Sequence, residues 1–104
     1  MLLYFGKAHL IFSLLVLTGL SVNLFSRSAQ EIYEDGCAAC HDSGIAGAPM
    51  MGNKGDWKSR EIKGYEVLVN NAYNGINGMP GKGLCADCTK EEIGIAVQYM
   101  LDTI

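Results

Sequence analysis

Acidic residues are missing from the start of this chain; none precedes Glu31. Histidine is scarce throughout, with His9 and His41 the two in 104 residues. Proline occurs twice, at 49 and 80, and tryptophan once, at 57. Basic side chains are few where they would matter for nucleic acid. From Ala29 onward six Lys/Arg stand against eleven Asp/Glu, a formal charge of −5, and Arg60 is the only arginine there. This balance argues against a nucleic-acid partner, which wants a basic footprint. It permits steering towards basic patches on proteins. No stretch alternates apolar and polar residues as a half-buried strand would. No internal repeat and no low-complexity tract is found. The reading is an all-α domain.

What is present first is an apolar run. Lys7 leads into Ala8–Leu20, apolar apart from His9, Ser13, Thr18 and Gly19, and Val22, Leu24 and Phe25 continue it weakly. A basic residue followed by an apolar stretch is the pattern of a secretory signal. Ser26 and Ser28 supply small residues at −3 and −1 of a cut between Ser28 and Ala29. An uncleaved membrane anchor is the other reading. A spanning helix needs about 20 apolar residues, and Leu10–Phe25 is shorter and carries Ser13, Thr18, Ser21 and Asn23. Cleavage is favoured, giving 1–28 as leader and 29–104 as the domain. On either reading the rest of the chain is exported. A domain of 76 residues, Ala29 to Ile104, has a marginal core without a staple, metal or cofactor.

The four cysteines form two C-x-x-C pairs, Cys37/Cys40 and Cys85/Cys88. The first is followed by His41. C-x-x-C-H is the attachment signature of a c-type haem. Each thiol adds to one vinyl group, and the adjacent imidazole is placed to coordinate iron from one face. A covalent haem would also give a small domain a large apolar body to fold around. Four cysteines raise the rival of a zinc module. However, 44 residues separate Cys40 from Cys85, where a zinc ribbon has about 15–20. Export also disfavours a thiolate zinc site.

The second pair continues to Thr89, not histidine, so it is not a second haem site. A short-loop disulfide suits an oxidising compartment. A redox-active dithiol is the alternative, but no βαβ pattern flanks the pair as a thioredoxin-like site requires. A structural bridge is favoured.

Gln30–Asp35 reads as a short helix that Gly36 ends, with Ala29, Tyr33 and Cys37 on one face. Asp42–Gly55 reads as loop, with Gly44, Gly47, Gly52, Gly55 and Pro49. Trp57 at its end is a core anchor, an indole N–H donor to a haem propionate, or both. Arg60–Asn71 predicts a weak helix broken by Asn70–Asn71. The clearest element is the last. Thr89 and Glu92 form a capping box, and Ile93, Val97, Met100, Leu101 and Ile104 follow at helical spacing. Gly94 lowers helix propensity there, which a close helix crossing would justify.

Iron held by His41 leaves a sixth position. His9 lies in the leader, so a second histidine is excluded in the processed monomer. Met50, Met51, Met79 and Met100 remain. Met100 sits on the apolar face of the last helix. Met50 and Met51 are nine and ten residues past His41, a short reach to the opposite face. Met79 is 38 residues past His41, in a loop that Pro80 stiffens and glycines let approach the ring. Met79 is the expected ligand. Thioether plus imidazole favours ferrous iron and fills both axial positions, which points to electron transfer over catalysis.

With these residues the chain resembles the class I c-type cytochromes of small bacterial monohaem type, and within them the cytochrome c5 group. The resemblance spans nearly all of the segment after Ser28. It rests on Ala29-x-x-x-Tyr33-x-x-x-Cys37-x-x-Cys40-His41, Gly47-Ala48-Pro49, Gly78-Met79-Pro80 and the terminal helix with Tyr99. The most distinctive feature is the Cys85/Cys88 pair between the methionine loop and that helix, which forms a disulfide in the cytochrome c5 group. The resemblance implies a fold in which N- and C-terminal helices cross around one covalent haem c, near Tyr33, Gly94 and Tyr99. It implies thioether links at Cys37 and Cys40, His41 as proximal and Met79 as distal ligand, and a Pro49 carbonyl on the other His41 nitrogen. Gly81 departs from the pattern, where many relatives have a second proline, and is expected to loosen the methionine loop. Met50–Met51 has no assigned role.

The implied function is that of a periplasmic one-electron carrier, monomer or homodimer, serving a quinol-oxidising complex, a terminal oxidase or a periplasmic reductase. An uncleaved N-terminal segment would add membrane association. The rivals are a haem subunit of a larger oxidoreductase and the four-cysteine zinc module.

Overall fold

The structure, a computed structural model, describes residues 26–104. The leader or anchor expected at 1–28 lies outside the described residues up to residue 25. Among the described residues no helix is long and apolar enough to cross a membrane.

Five helices and one 3-10 turn make up the described chain: α1 (Ala29–Gly36), α2 (Ala38–His41), the turn Ile45–Gly47, α3 (Lys54–Glu61), α4 (Tyr65–Asn74) and α5 (Lys90–Leu101). There is no named strand among the described residues; Ile76 and Met79 form an isolated antiparallel bridge. The all-α reading holds.

Local chemistry sets the helix ends. Ser28 caps α1 with a full capping box: its hydroxyl accepts from the Glu31 N–H, and the Glu31 carboxylate accepts from the Ser28 N–H. Thr89 and Glu92 do the same for α5, as the sequence predicts. Asn53 caps α3 by accepting from the Asp56 N–H at 3.1 Å. That helix was not expected, because the glycines before it masked a start at Lys54. The helix expected over 60–71 lies later, at Tyr65–Asn74. Gly64, at φ +91°, precedes it, and Gly75, at φ +96°, ends it. Asn70 and Asn71 do not interrupt it, because Val69 and Ala72 are buried on its inner face.

The core is a three-helix contact. α5 buries Ile93, Ala96, Val97 and Met100 against Ile32 and Tyr33 of α1 and against Val69 and Ala72 of α4. Trp57 of α3 and the cysteines at 85 and 88 complete it. Tyr33 packs on Tyr99 with ring centroids 5.5 Å apart, so the terminal helices meet where the resemblance implies. The glycine expected at that crossing belongs to a different one. A side chain on Gly94 would point at α4: a Cβ there would lie 2.7 Å from the Tyr65 hydroxyl and 3.8 Å from Val69. Gly94 therefore admits Tyr65, not the N-terminal helix.

Candidate haem site

α1, α2 and the loops around them converge on a single apolar cleft of about 310 Å³. Cys37, Cys40 and His41 line it from α2 and its N-terminal boundary, and Met79 and Pro80 line it from the loop after α4. Leu68 and Ala72 of α4 add apolar wall. Cys37 and Cys40 are free thiols. They are held by one tight turn, with Cys40 and His41 N–H both donating to the Cys37 carbonyl at 3.2 and 3.0 Å.

His41 is buried and its Nδ1 lies 2.7 Å from the Pro49 carbonyl. A carbonyl only accepts, so Nδ1 carries the proton and Nε2 keeps its lone pair. That is the tautomer a metal ligand needs, oriented by its other nitrogen. The loop that brings Pro49 back is fastened at several points. Met51 N–H donates to the His41 carbonyl at 2.8 Å, and Tyr33 donates its hydroxyl proton to Asp42. Burial first, and Asp42 second, push the Tyr33 phenol well above its ordinary range, so it stays a neutral donor.

Met50 and Met51, unassigned from sequence, have structural roles through their backbones. The Met50 carbonyl accepts the Trp57 indole N–H at 2.9 Å, and its N–H donates to Asp56 at 3.1 Å. The sequence makes Trp57 a core anchor, a donor to a propionate, or both, and Trp57 is buried in the core. In the structure its indole N–H is engaged by Met50, and Trp57 meets the cleft with its ring, stacked beside His41 at 6.0 Å. Sequence reasoning missed Arg60 and Lys63, which line the same cleft and, with His41, are its basic residues among the described ones. A helix prediction at 54–61 would have placed Arg60 one turn from Trp57.

Among the described methionines only Met79 lines the cleft; Met100 is buried in the core. The loop carrying Met79 is held from both sides. Ile76 and Met79 exchange backbone hydrogen bonds at 3.0 and 2.9 Å, and Lys82 N–H donates to the Ala72 carbonyl at 2.8 Å. A Cβ at 81 would fall 2.9 Å from the Tyr73 carbonyl oxygen, so glycine here permits close backing against the end of α4.

Cys85 and Cys88 are joined by a disulfide across a Cα–Cα distance of 5.4 Å. Their sulfurs are bonded to each other, so the four cysteines do not converge on one metal. Burial pushes the Cys37 thiol up to about 11. The residues fit a haem instead. Two free thiols sit one turn apart beside an imidazole with a free nitrogen. A thioether, apolar walls and two cations, Arg60 and Lys63, share the cleft.

A fold of this kind with this cleft belongs to the small monohaem c-type cytochromes. Comparison with known proteins agrees. The family described as cytochrome C oxidase, cbb3-type, subunit III matches residues 26–100. Cytochrome c5 of Ectopseudomonas mendocina is 43% identical over 77 residues, covering 72% of this chain and 88% of that protein. A mono-heme ferrocytochrome c from Shewanella putrefaciens superposes with a TM-score of 0.64 at 40% identity, covering 74% of this chain and 95% of that one. A chain from a crystal structure of an electron-transfer complex of nitrite reductase with cytochrome c has a TM-score of 0.69 at 29% identity, covering 77% and 98%. The chain belongs to the class I cytochromes c and carries one covalently bound haem c. It is an electron-transfer protein rather than an enzyme.

Proposed function

We propose that this chain is an exported, periplasmic one-electron carrier whose haem is anchored at Cys37 and Cys40 and ligated by His41 and Met79. The haem supplies the reversible iron couple; the protein supplies attachment, ligation and electrostatics. The observation that carries this reading is the company Met79 keeps. Among the described residues it is the one methionine lining the cleft shared by Cys37, Cys40 and a His41 whose Nε2 is free.

Each residue then has a task. Pro49 holds the His41 ring through Nδ1 and fixes its tautomer and orientation. The Ile76–Met79 bridge and the Gly81 backing keep the thioether in place, leaving no open position for a small substrate. Arg60 and Lys63 meet the propionate carboxylates. The disulfide at Cys85 and Cys88 braces the turn between the methionine loop and α5.

The nitrite reductase complex of the structural neighbour supports a periplasmic reductase as one class of partner. A quinol-oxidising complex and a terminal oxidase complete the expected donors and acceptors. A second reading, a haem subunit of a larger oxidoreductase, is favoured by the oxidase-subunit description of the matching family. Purification at native abundance separates them, since a carrier elutes as a monomer or homodimer and a subunit elutes with its complex. Carbon monoxide tests the ligation. The ferrous protein should bind none at neutral pH, and rapid formation of a carbonyl spectrum would refute a bound Met79.

A further inference from the structure

Arg27 precedes the first helix, yet it reaches across the molecule. Its Nε donates to Glu92 Oε2 at 2.8 Å, and its Nη1 lies 3.4 Å from Asp87 Oδ1. Its two terminal nitrogens lie 3.7 and 3.6 Å from the sulfurs of Cys85 and Cys88. One guanidinium thus closes over the disulfide and ties the start of α1 to the start of α5.

Ser28 is equally committed. Its hydroxyl accepts from Glu31 N–H at 3.1 Å, its own N–H donates to Glu31 at 3.0 Å, and its carbonyl accepts from Ile32 at 3.1 Å. Glu92 joins the two caps. One of its oxygens accepts the Thr89 N–H at 3.1 Å and the other takes Arg27.

A cut between Ser28 and Ala29 would remove all of this. It would also place a free ammonium at Ala29, the first residue of α1, where positive charge opposes the helix dipole. Two N–H groups of the first turn, those of Glu31 and Ile32, would lose their acceptors on Ser28.

We propose that the mature protein keeps Arg27 and Ser28 as a clasp on the folded domain, and that leader processing falls upstream of Arg27. The stretch shared with the family begins there too, at residue 26. The sequence offers another pair of small residues for −3 and −1, Gly19 and Ser21, and a cut after Ser21 would spare the clasp. The proposal does not depend on which residues ligate the haem.

The test is the N-terminus of the haem-bearing protein made from the full chain in a host with c-type maturation. Intact mass and N-terminal sequencing should place it at Arg27 or upstream, uncut chain included. An N-terminus at Ser28 or Ala29 would overturn the proposal. A second measurement reads the clasp itself. Arg27→Ala should melt several degrees lower than wild type, with Arg27→Lys recovering part of the loss. Glu92→Gln should cost much less in the Arg27→Ala background than alone. Equal melting of wild type and Arg27→Ala would refute the clasp.

Discussion

Gly36 and Cys85 are in backbone-close contact: a Cβ on Gly36 would lie 2.6 Å from the Cys85 Cβ. The Gly36 carbonyl also accepts the Leu84 N–H at 2.9 Å. Gly36 is the residue before Cys37, so this contact seats the disulfide turn against the base of the haem-attachment helix. The methionine loop, the disulfide and the C-x-x-C-H turn are therefore one packed unit.

Gly36→Ala should strain that unit. No rotamer relieves a Cβ–Cβ clash between two backbones, and overpacking of this kind costs about 1–3 kcal/mol. The holoprotein should melt at least several degrees lower. An unchanged midpoint would show that the turn can retreat from α1 freely.

The engagement of Trp57 with Met50, and the position of Arg60, predict opposite electrochemistry for two variants. Trp57→Phe loses the indole hydrogen bond, about 1 kcal/mol, and should lower the melting temperature while leaving the midpoint potential nearly unchanged. Arg60→Gln removes a positive charge that disfavours the more positive ferric state, so its potential should fall. A large potential shift in Trp57→Phe with none in Arg60→Gln would return the propionate to the indole.

Much of this site is legible in the sequence because its chemistry is local. Cys37, Cys40 and His41 lie on one turn, and the capping box of α5 lies within four residues. The helix at Lys54–Glu61 is not legible, because its signals are weak beside Gly52 and Gly55 and its stability comes from burying Trp57. The partner of Gly94 is not legible either. Helical spacing says which residues share a face but not whether α1 or α4 lies against it. The close backing of Gly81 on the end of α4 is not legible for a similar reason, since glycine marks close approach as readily as flexibility. The cap at Ser28 was overlooked because the same residues fit a cleavage pattern.

Acid should weaken the Arg27–Glu92 contact in a defined direction. The Arg27 hydrogen bond chiefly, then the Thr89 backbone N–H, hold the Glu92 carboxyl below its ordinary value of 4.5. A carboxylate depressed in the folded state stabilises it fully above its unfolded value, and this is lost as pH falls through the folded value. The stability gap between wild type and Arg27→Ala should therefore be constant near neutrality and shrink below about pH 4.5. Denaturant melts across pH 3–7, roughly spanning that range, check it. A gap that widened in acid would contradict the assignment.

The central claim, that Met79 is the sixth ligand, is tested most directly by visible spectra of wild type and Met79→Ala, oxidised and then dithionite-reduced. Wild type should show sharp reduced α and β bands and a weak far-red band when oxidised. Met79→Ala should keep its covalent haem but lose the far-red band and the low-spin signature. Retention of that band in Met79→Ala would contradict the account and pass the ligand to another residue.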